Sequence, residues 1–209
     1  GNDKGDFYYA PPSGYLALCT ANLPDPSIAL PGENFNSVLY TGDGATTQAI
    51  TGVGFEPDFL WTKKRSATGF HALVDSVRGA TNYLSSNSTN IEYDDAEYIA
   101  SLDSDGFTVG DNTVTNDNTE TFVAWNWKAG GAPTADNSAG AGNTPTAGSV
   151  KINGSNLGSA LAGTIPATRL SANTTTGFSI IGYTGTASAG TVAHGLAVTP
   201  DMVIVKERS

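Results

Sequence analysis

Asp103-Ser104-Asp105-Gly106 opens with the alternating carboxylates of a calcium-binding loop. Such a loop also needs further oxygen ligands and a distal bidentate carboxylate at fixed spacing, and Asp111 does not supply the Glu of that role. The Asp-Gly pair favours the positive dihedrals of a tight hairpin, so a turn is the preferred reading and a surface cation the alternative. His71, Asp75 and a serine have the residue types of a hydrolase triad, but no Gly-x-Ser-x-Gly elbow presents a nucleophile. On a strand, two residues four apart lie roughly 13 Å from one another, too far for a direct hydrogen bond. Glu92, Asp94, Asp95 and Glu97 supply acid enough for a glycosidase pair, yet clustered in a polar loop they read as solvated surface. Tyr83, Tyr93 and Tyr98 are the candidate ligand contacts, since exposed phenol rings stack on sugars; the plainer alternative is that they pack the loop. Lys63, Lys64, Arg65 and Arg78 hold much of the scarce positive charge and are expected to pair with carboxylates inside the domain or across a subunit boundary. His194 is expected in solvent. No residue pattern predicts a catalytic group, a cofactor or a metal centre.

The elements that position these groups read as strands. Phe35 to Tyr40, Phe59 to Lys63, Phe70 to Val74, Tyr98 to Leu102 and Gly106 to Gly110 are β-favouring runs bounded by turn residues. Thr121 to Lys128 alternates, with Val123, Trp125 and Trp127 expected to face the core. Asn82 to Glu97 has the only helical potential and reads equally as irregular loop. Residues 35–66 lie on residues 178–209 without a gap at an offset of 143, the separation of Phe35 and Phe178, with ten identities in 32 positions. This repeat predicts strands at Phe178 to Tyr183 and Pro200 to Lys206. It also predicts a second copy that is incomplete at Ser209, as in a piece of a longer protein. The fold class expected is all-β, with jelly-roll-like sandwich repeats in tandem. The expected divisions are a terminal strand (Asp6 to Ala10) and exit segment at 1–23, a first repeat at 24–131, a Gly/Ala/Thr/Asn-rich linker with weak structure at 132–176, and the start of a second repeat at 177–209.

Composition narrows the function. A net charge of −10 repels a phosphate backbone, which argues against nucleic-acid binding. Cys19 is the only cysteine, so neither an intrachain disulfide nor a cysteine metal cluster can form. Apolar runs such as Phe59-Leu60-Trp61 are far shorter than the roughly 20 residues of a bilayer span, which argues against membrane insertion.

Several motifs carry a resemblance. Phe7-Tyr8-Tyr9-Ala10-Pro11-Pro12-Ser13-Gly14-Tyr15 resembles the end of a SPRY-like sandwich in marine-phage structural proteins, and Leu18-Cys19-Thr20-Ala21-Asn22-Leu23-Pro24 resembles the connector after it. Gly54-Phe55-Glu56-Pro57-Asp58-Phe59, Lys64-Arg65-Ser66, Asp75-Ser76-Val77-Arg78-Gly79, Ser104-Asp105-Gly106-Phe107 and 123–131 resemble the repeat domain downstream. The resemblance implies a non-enzymatic, adhesive module of a bacteriophage tail fibre or related virion appendage. It implies partners among copies of itself, as a trimer by analogy, and other virion proteins, with a host-surface glycan as an adhesive target. It carries no catalytic residues. A carbohydrate-binding module of a secreted or surface protein is the alternative.

Overall fold

Thr121–Trp127 (β9) alternates so that Phe122, Ala124 and Asn126 are buried while Val123, Trp125 and Trp127 are only half-buried. The computed structural model, which describes residues 9, 12–26 and 28–209, builds the first sheet around this strand. Before it run β1 (Phe35–Thr41), β2 (Gln48–Thr51), β3 (Phe59–Lys64), β4 (His71–Asp75), β5 (Gly79–Leu84), β6 (Tyr93–Asp94), β7 (Ile99–Asp103) and β8 (Gly106–Val109). After it come β10 (Val150–Ile152), β11 (Ser155–Asn156), β12 (Ala167–Asn173) and β13 (Phe178–Tyr183). Among the described residues, helix is confined to α1 (Thr113–Asn116) and two short 3-10 turns, so the protein is all-β.

Six strands in the order β1-β9-β3-β4-β5-β6 form one sheet, and β2-β8-β7 form a second. Ile50, Leu60, Val74, Ile99, Phe107, Val109 and Ala124 meet in the core, drawn from both sheets as in a sandwich. The alternation of β9 is as read from sequence, but the face is the opposite one. Phe122 and Ala124 point inward, and the tryptophans cover the outer face, where Trp125 meets Trp61 edge-on at 6.0 Å and Trp127 packs against Phe35 and Phe59. Both faces of β9 carry large apolar groups, and only the position of the three-stranded sheet selects between them.

The segment 132–176 is not weakly structured. It contributes β10, β11 and β12 to a third sheet, β11-β10-β12-β13, with the β10–β12 pair parallel and the others antiparallel. Its core is Val150, Leu161, Ala167, Leu170 and Ala172. These small and sparse apolar residues lack a visible period because they converge from separated loops and short strands. Asn82 to Glu97 holds the end of β5, then β6 and connecting loops, so the irregular-loop reading of that segment applies rather than the helical one. One further expectation fails. The strand expected over Pro200 to Lys206 is absent; Met202, Val203, Ile204 and Val205 are 68–74% exposed. The strand expected over 6–10 lies outside the described residues apart from Tyr9.

Candidate functional site

The β5–β6 pairing sets Tyr83 directly opposite Tyr93, and the approach to β7 brings Tyr98 onto the other side of Tyr83. The rings of Tyr83 and Tyr98 stack at 4.1 Å and 14°, and those of Tyr83 and Tyr93 lie at 6.5 Å and 26°. The three tyrosines read as candidate contacts are therefore one stack. Tyr83 is its buried middle, and burial pushes its hydroxyl above the usual phenol value. Tyr93, 46% exposed, offers the most open ring of the three. A single open ring can carry one stacked sugar or another flat apolar group.

Beside the stack, Arg78 sits almost out of solvent with its donors taken. Nε reaches Asp75 at 2.6 Å, Nη1 reaches Glu92 at 2.9 Å and the Asn82 carbonyl at 2.9 Å, and Nη2 reaches the Leu73 carbonyl at 3.1 Å. Glu92 also accepts from Arg208 Nε at 2.9 Å, so the C-terminal end of the chain is pinned to the first sandwich, and Lys206 Nζ adds a bond to the Ser88 carbonyl at 2.9 Å. Burial would raise the Glu92 carboxyl, but the hydrogen bonds and charges of Arg208 and Arg78 outweigh it and hold the group below its ordinary value. Glu92 is thus a half-buried bridge between two arginines rather than a solvated acid. Asp94 accepts from Thr81 Oγ1 at 2.6 Å and Asp95 from the Glu97 amide at 2.9 Å, so both carboxylates are held by local hydrogen bonds.

The other candidate groups are occupied structurally. Asp103 and Gly106 pair across the β7–β8 hairpin. Asp105 accepts from the amides of Gly52 and Gly54 at 3.1 and 2.7 Å, and Asp103 accepts from Thr108 Oγ1 at 2.8 Å. Asp105 thus stitches the hairpin turn to the β2 exit, and Asp103 braces the hairpin itself. His71 Nδ1 accepts from Trp61 Nε1 at 2.9 Å, while Asp75 binds the Val77 and Arg78 amides, so the two are not partners. His194 Nδ1 accepts from the Leu196 amide at 3.1 Å, which leaves this half-buried ring fixed rather than freely solvated.

Of the basic cluster, Lys64 pairs with Asp117 at 2.6 Å and Arg78 with Asp75 and Glu92. Lys63 and Arg65 have no ion pair among the described residues. They line an open depression of about 640 Å³ with Ser66, Thr68, His71 and Asn87. His71 is pushed below its ordinary value first by burial and then by the Lys63 charge.

Asp58 is the residue whose role the sequence did not disclose. Its Oδ1 accepts from Ser76 Oγ at 2.6 Å, and Oδ2 accepts from the amides of Ala129 and Gly131 at 2.7 and 3.1 Å. One buried carboxylate thus ties the start of β3 to the turn after β4 and to the exit of β9. Its recurrence as Asp201 was the available signal. Beyond that exit, the Gly130 amide donates to Ser171 Oγ at 2.8 Å, and the ring of Phe178 lies 5.9 Å from Trp127 and 6.0 Å from Phe59. The third sheet is therefore fastened to the first by hydrogen bonds and a shared aromatic cluster.

Comparison with curated proteins gives no match, and neither does comparison with solved structures. A family profile, described as "Domain of unknown function (DUF7483)", matches residues 30–153 and again residues 142–209. The first match alone spans more than half of the sequence, and on that ground the chain belongs to the DUF7483 family.

Proposed function

We propose that this chain is a structural and adhesive component of a bacteriophage virion appendage, a tail fibre or related fibre, with no catalysis of its own. The observation that carries the reading is the junction between the sandwich and the third sheet. Asp58 holds both Ala129 and Gly131, Gly130 is held by Ser171, and Phe178 completes the ring cluster of Phe35, Phe59 and Trp127. A connection made of main-chain amides held by side-chain acceptors and of packed rings transmits load between units, which suits a part whose work is to extend and bear force. The motifs resembling phage repeats support the same reading. Its partners are copies of itself, as a trimer by analogy with phage fibres, and other virion proteins. Weak surface contacts at loop ends gain strength from the number of copies.

Cryo-electron microscopy of the particle containing this chain tests the proposal. Density for the sandwich in a projecting, symmetric fibre is the expected result. An isolated secreted monomer would overturn it. A second reading, a carbohydrate-binding module, draws on the open ring of Tyr93. Retention on a glycan column that is lost in Tyr93→Ala, with unfolding unchanged, would favour that reading.

A further inference from the structure

β3 alternates between half-buried and buried residues, so Trp61 and Lys63 stand on the outer face of the first sheet while Thr62 and Lys64 turn inward. The register sets Lys63 opposite His71 on β4 and Trp61 opposite Trp125 on β9. An indole and an ammonium are thus successive groups on one open face. His71 adjoins both, with its imidazole 5.8 Å from the Trp61 ring. Arg65 follows at the end of the strand, exposed, and the depression of about 640 Å³ opens there.

The polar groups around this depression are anchored and have donors left over. The Arg65 amide donates to the Thr121 carbonyl at 2.7 Å, while its guanidinium forms no ion pair among the described residues. Asn87 Oδ1 accepts from the His71 amide at 3.0 Å and from Ser85 Oγ at 2.7 Å, which leaves the Nδ2 donors over. His71 Nδ1 accepts from Trp61 Nε1 at 2.9 Å, so the neutral ring carries its proton on Nε2 and donates there. Lys63 Nζ bonds the Lys64 carbonyl with only one of its donors. On the rim, Glu120 accepts from Ser66 Oγ and pairs with neither cation. The chain has 20 acidic residues against 10 basic ones, yet no carboxylate among the described residues neutralises Lys63 or Arg65. Spare donors and uncompensated positive charge around one depression fit an anion.

The indole beside the cations narrows the class of anion. Half-buried Trp61 and Trp125 meet edge-on, which leaves flat apolar surface on the outer face next to Lys63. A sugar ring stacks on such a surface. A uronic acid carries its carboxylate on the ring carbon itself, so stacking face and charge fall within one sugar, whereas a sulfate ester is set off from the ring by an oxygen. A nucleic acid is too densely charged for a chain of net charge −10.

We propose that the outer face at Trp61, Lys63, Arg65, His71 and Asn87 binds a uronic-acid polysaccharide, its carboxylate held by Arg65 and Lys63 and its sugar ring laid against Trp61. The proposal deepens the adhesive reading above and rests on it, and it makes the contact through residues other than Tyr93.

The probes are tetrasaccharides of galacturonate, mannuronate and glucuronate, each titrated at neutral pH into the whole isotope-labelled chain and followed by NMR, with the methyl ester of each as the neutral control. At least one acid shifts the Trp61 indole and His71 ring resonances, and its methyl ester, which keeps the ring and removes the charge, binds at least about tenfold more weakly. The double variant Lys63→Gln/Arg65→Gln breaks no ion pair, keeps the unfolding midpoint and lowers the affinity by at least about tenfold, whereas Tyr93→Ala leaves it unchanged. No binding by any of the three acids, equal binding of the methyl esters, or undiminished binding by the double variant would each overturn the proposal. So would loss of binding in Tyr93→Ala, or equal affinity for a sulfated tetrasaccharide or an oligonucleotide. None of these outcomes bears on the virion assignment, which imaging of the particle tests: a fibre with no affinity for uronate would remove the site and leave the fibre.

Discussion

At the residue scale, the polar groups that looked fit for chemistry are mostly committed to holding backbone. Asp58 is the clearest case, a buried carboxylate with three donors and no cation within its set of bonds. Asp58→Ala leaves those donors without an acceptor and is expected to destabilise the chain by about 2–4 kcal/mol in urea unfolding. A cost under about 0.5 kcal/mol would show that water replaces the carboxylate without loss. His71 gives a pH dependence whose sign is fixed by the lowered folded value. The unfolded imidazole binds a proton first, so this residue's contribution is complete above the ordinary value of 6.5 and is lost as the pH falls through the lower folded value. Protonation also removes the lone pair that accepts from Trp61. An NMR titration of the His71 ring should give a midpoint below 6.5; a midpoint above it would contradict the assignment. Glu92 acts further down the scale. Its contribution is full above 4.5 and is lost as the pH falls through its depressed value, and Glu92→Gln should flatten the stability profile there.

At the element scale, β9 and the β5–β6 pair show how a two-residue period becomes a division of labour. Phe122 is fully buried between the sheets, whereas Trp125 is half-buried on the outer face against Trp61. Phe122→Ala should cost about 3–5 kcal/mol, and Trp125→Ala less, since its outer face already meets solvent. The reverse order in chemical denaturation would mean that the outer aromatic layer, not the sandwich core, carries the sheet. Within the tyrosine stack the same logic separates two neighbours: Tyr83→Ala removes a buried ring sandwiched on both sides, while Tyr93→Ala trims an exposed one at a cost of about 1 kcal/mol or less.

At the scale of the whole molecule, the junction is the feature on which the proposed fibre role depends. Gly130 passes so close to the third sheet that an added Cβ would stand 2.5 Å from the Lys151 carbonyl oxygen and 2.6 Å from that of Ala172. Gly130→Ala must therefore push the two apart while leaving the core of the first sandwich intact. Residual dipolar couplings should fit one common orientation in the parent chain and two in the variant. A common fit in both would show that the aromatic cluster around Phe178 holds the units together without the close approach.

The repeat, the hairpin at Asp103–Gly106 and the strands at Phe35, Phe59, Thr121 and Phe178 were legible in the amino-acid sequence, because turn residues and two-residue alternation are local properties of the chain. Asp58 was visible only as a recurring letter, since its donors lie up to 73 residues away. The inward face of β9, the strands within 132–176 and the failure of Met202–Lys206 to form a strand were decided by tertiary structure. A strand is an agreement between neighbours. Its pattern states what it would bury, but only the sheets packed beside and above it determine which face is covered, and a segment with a good pattern and no neighbour stays in water.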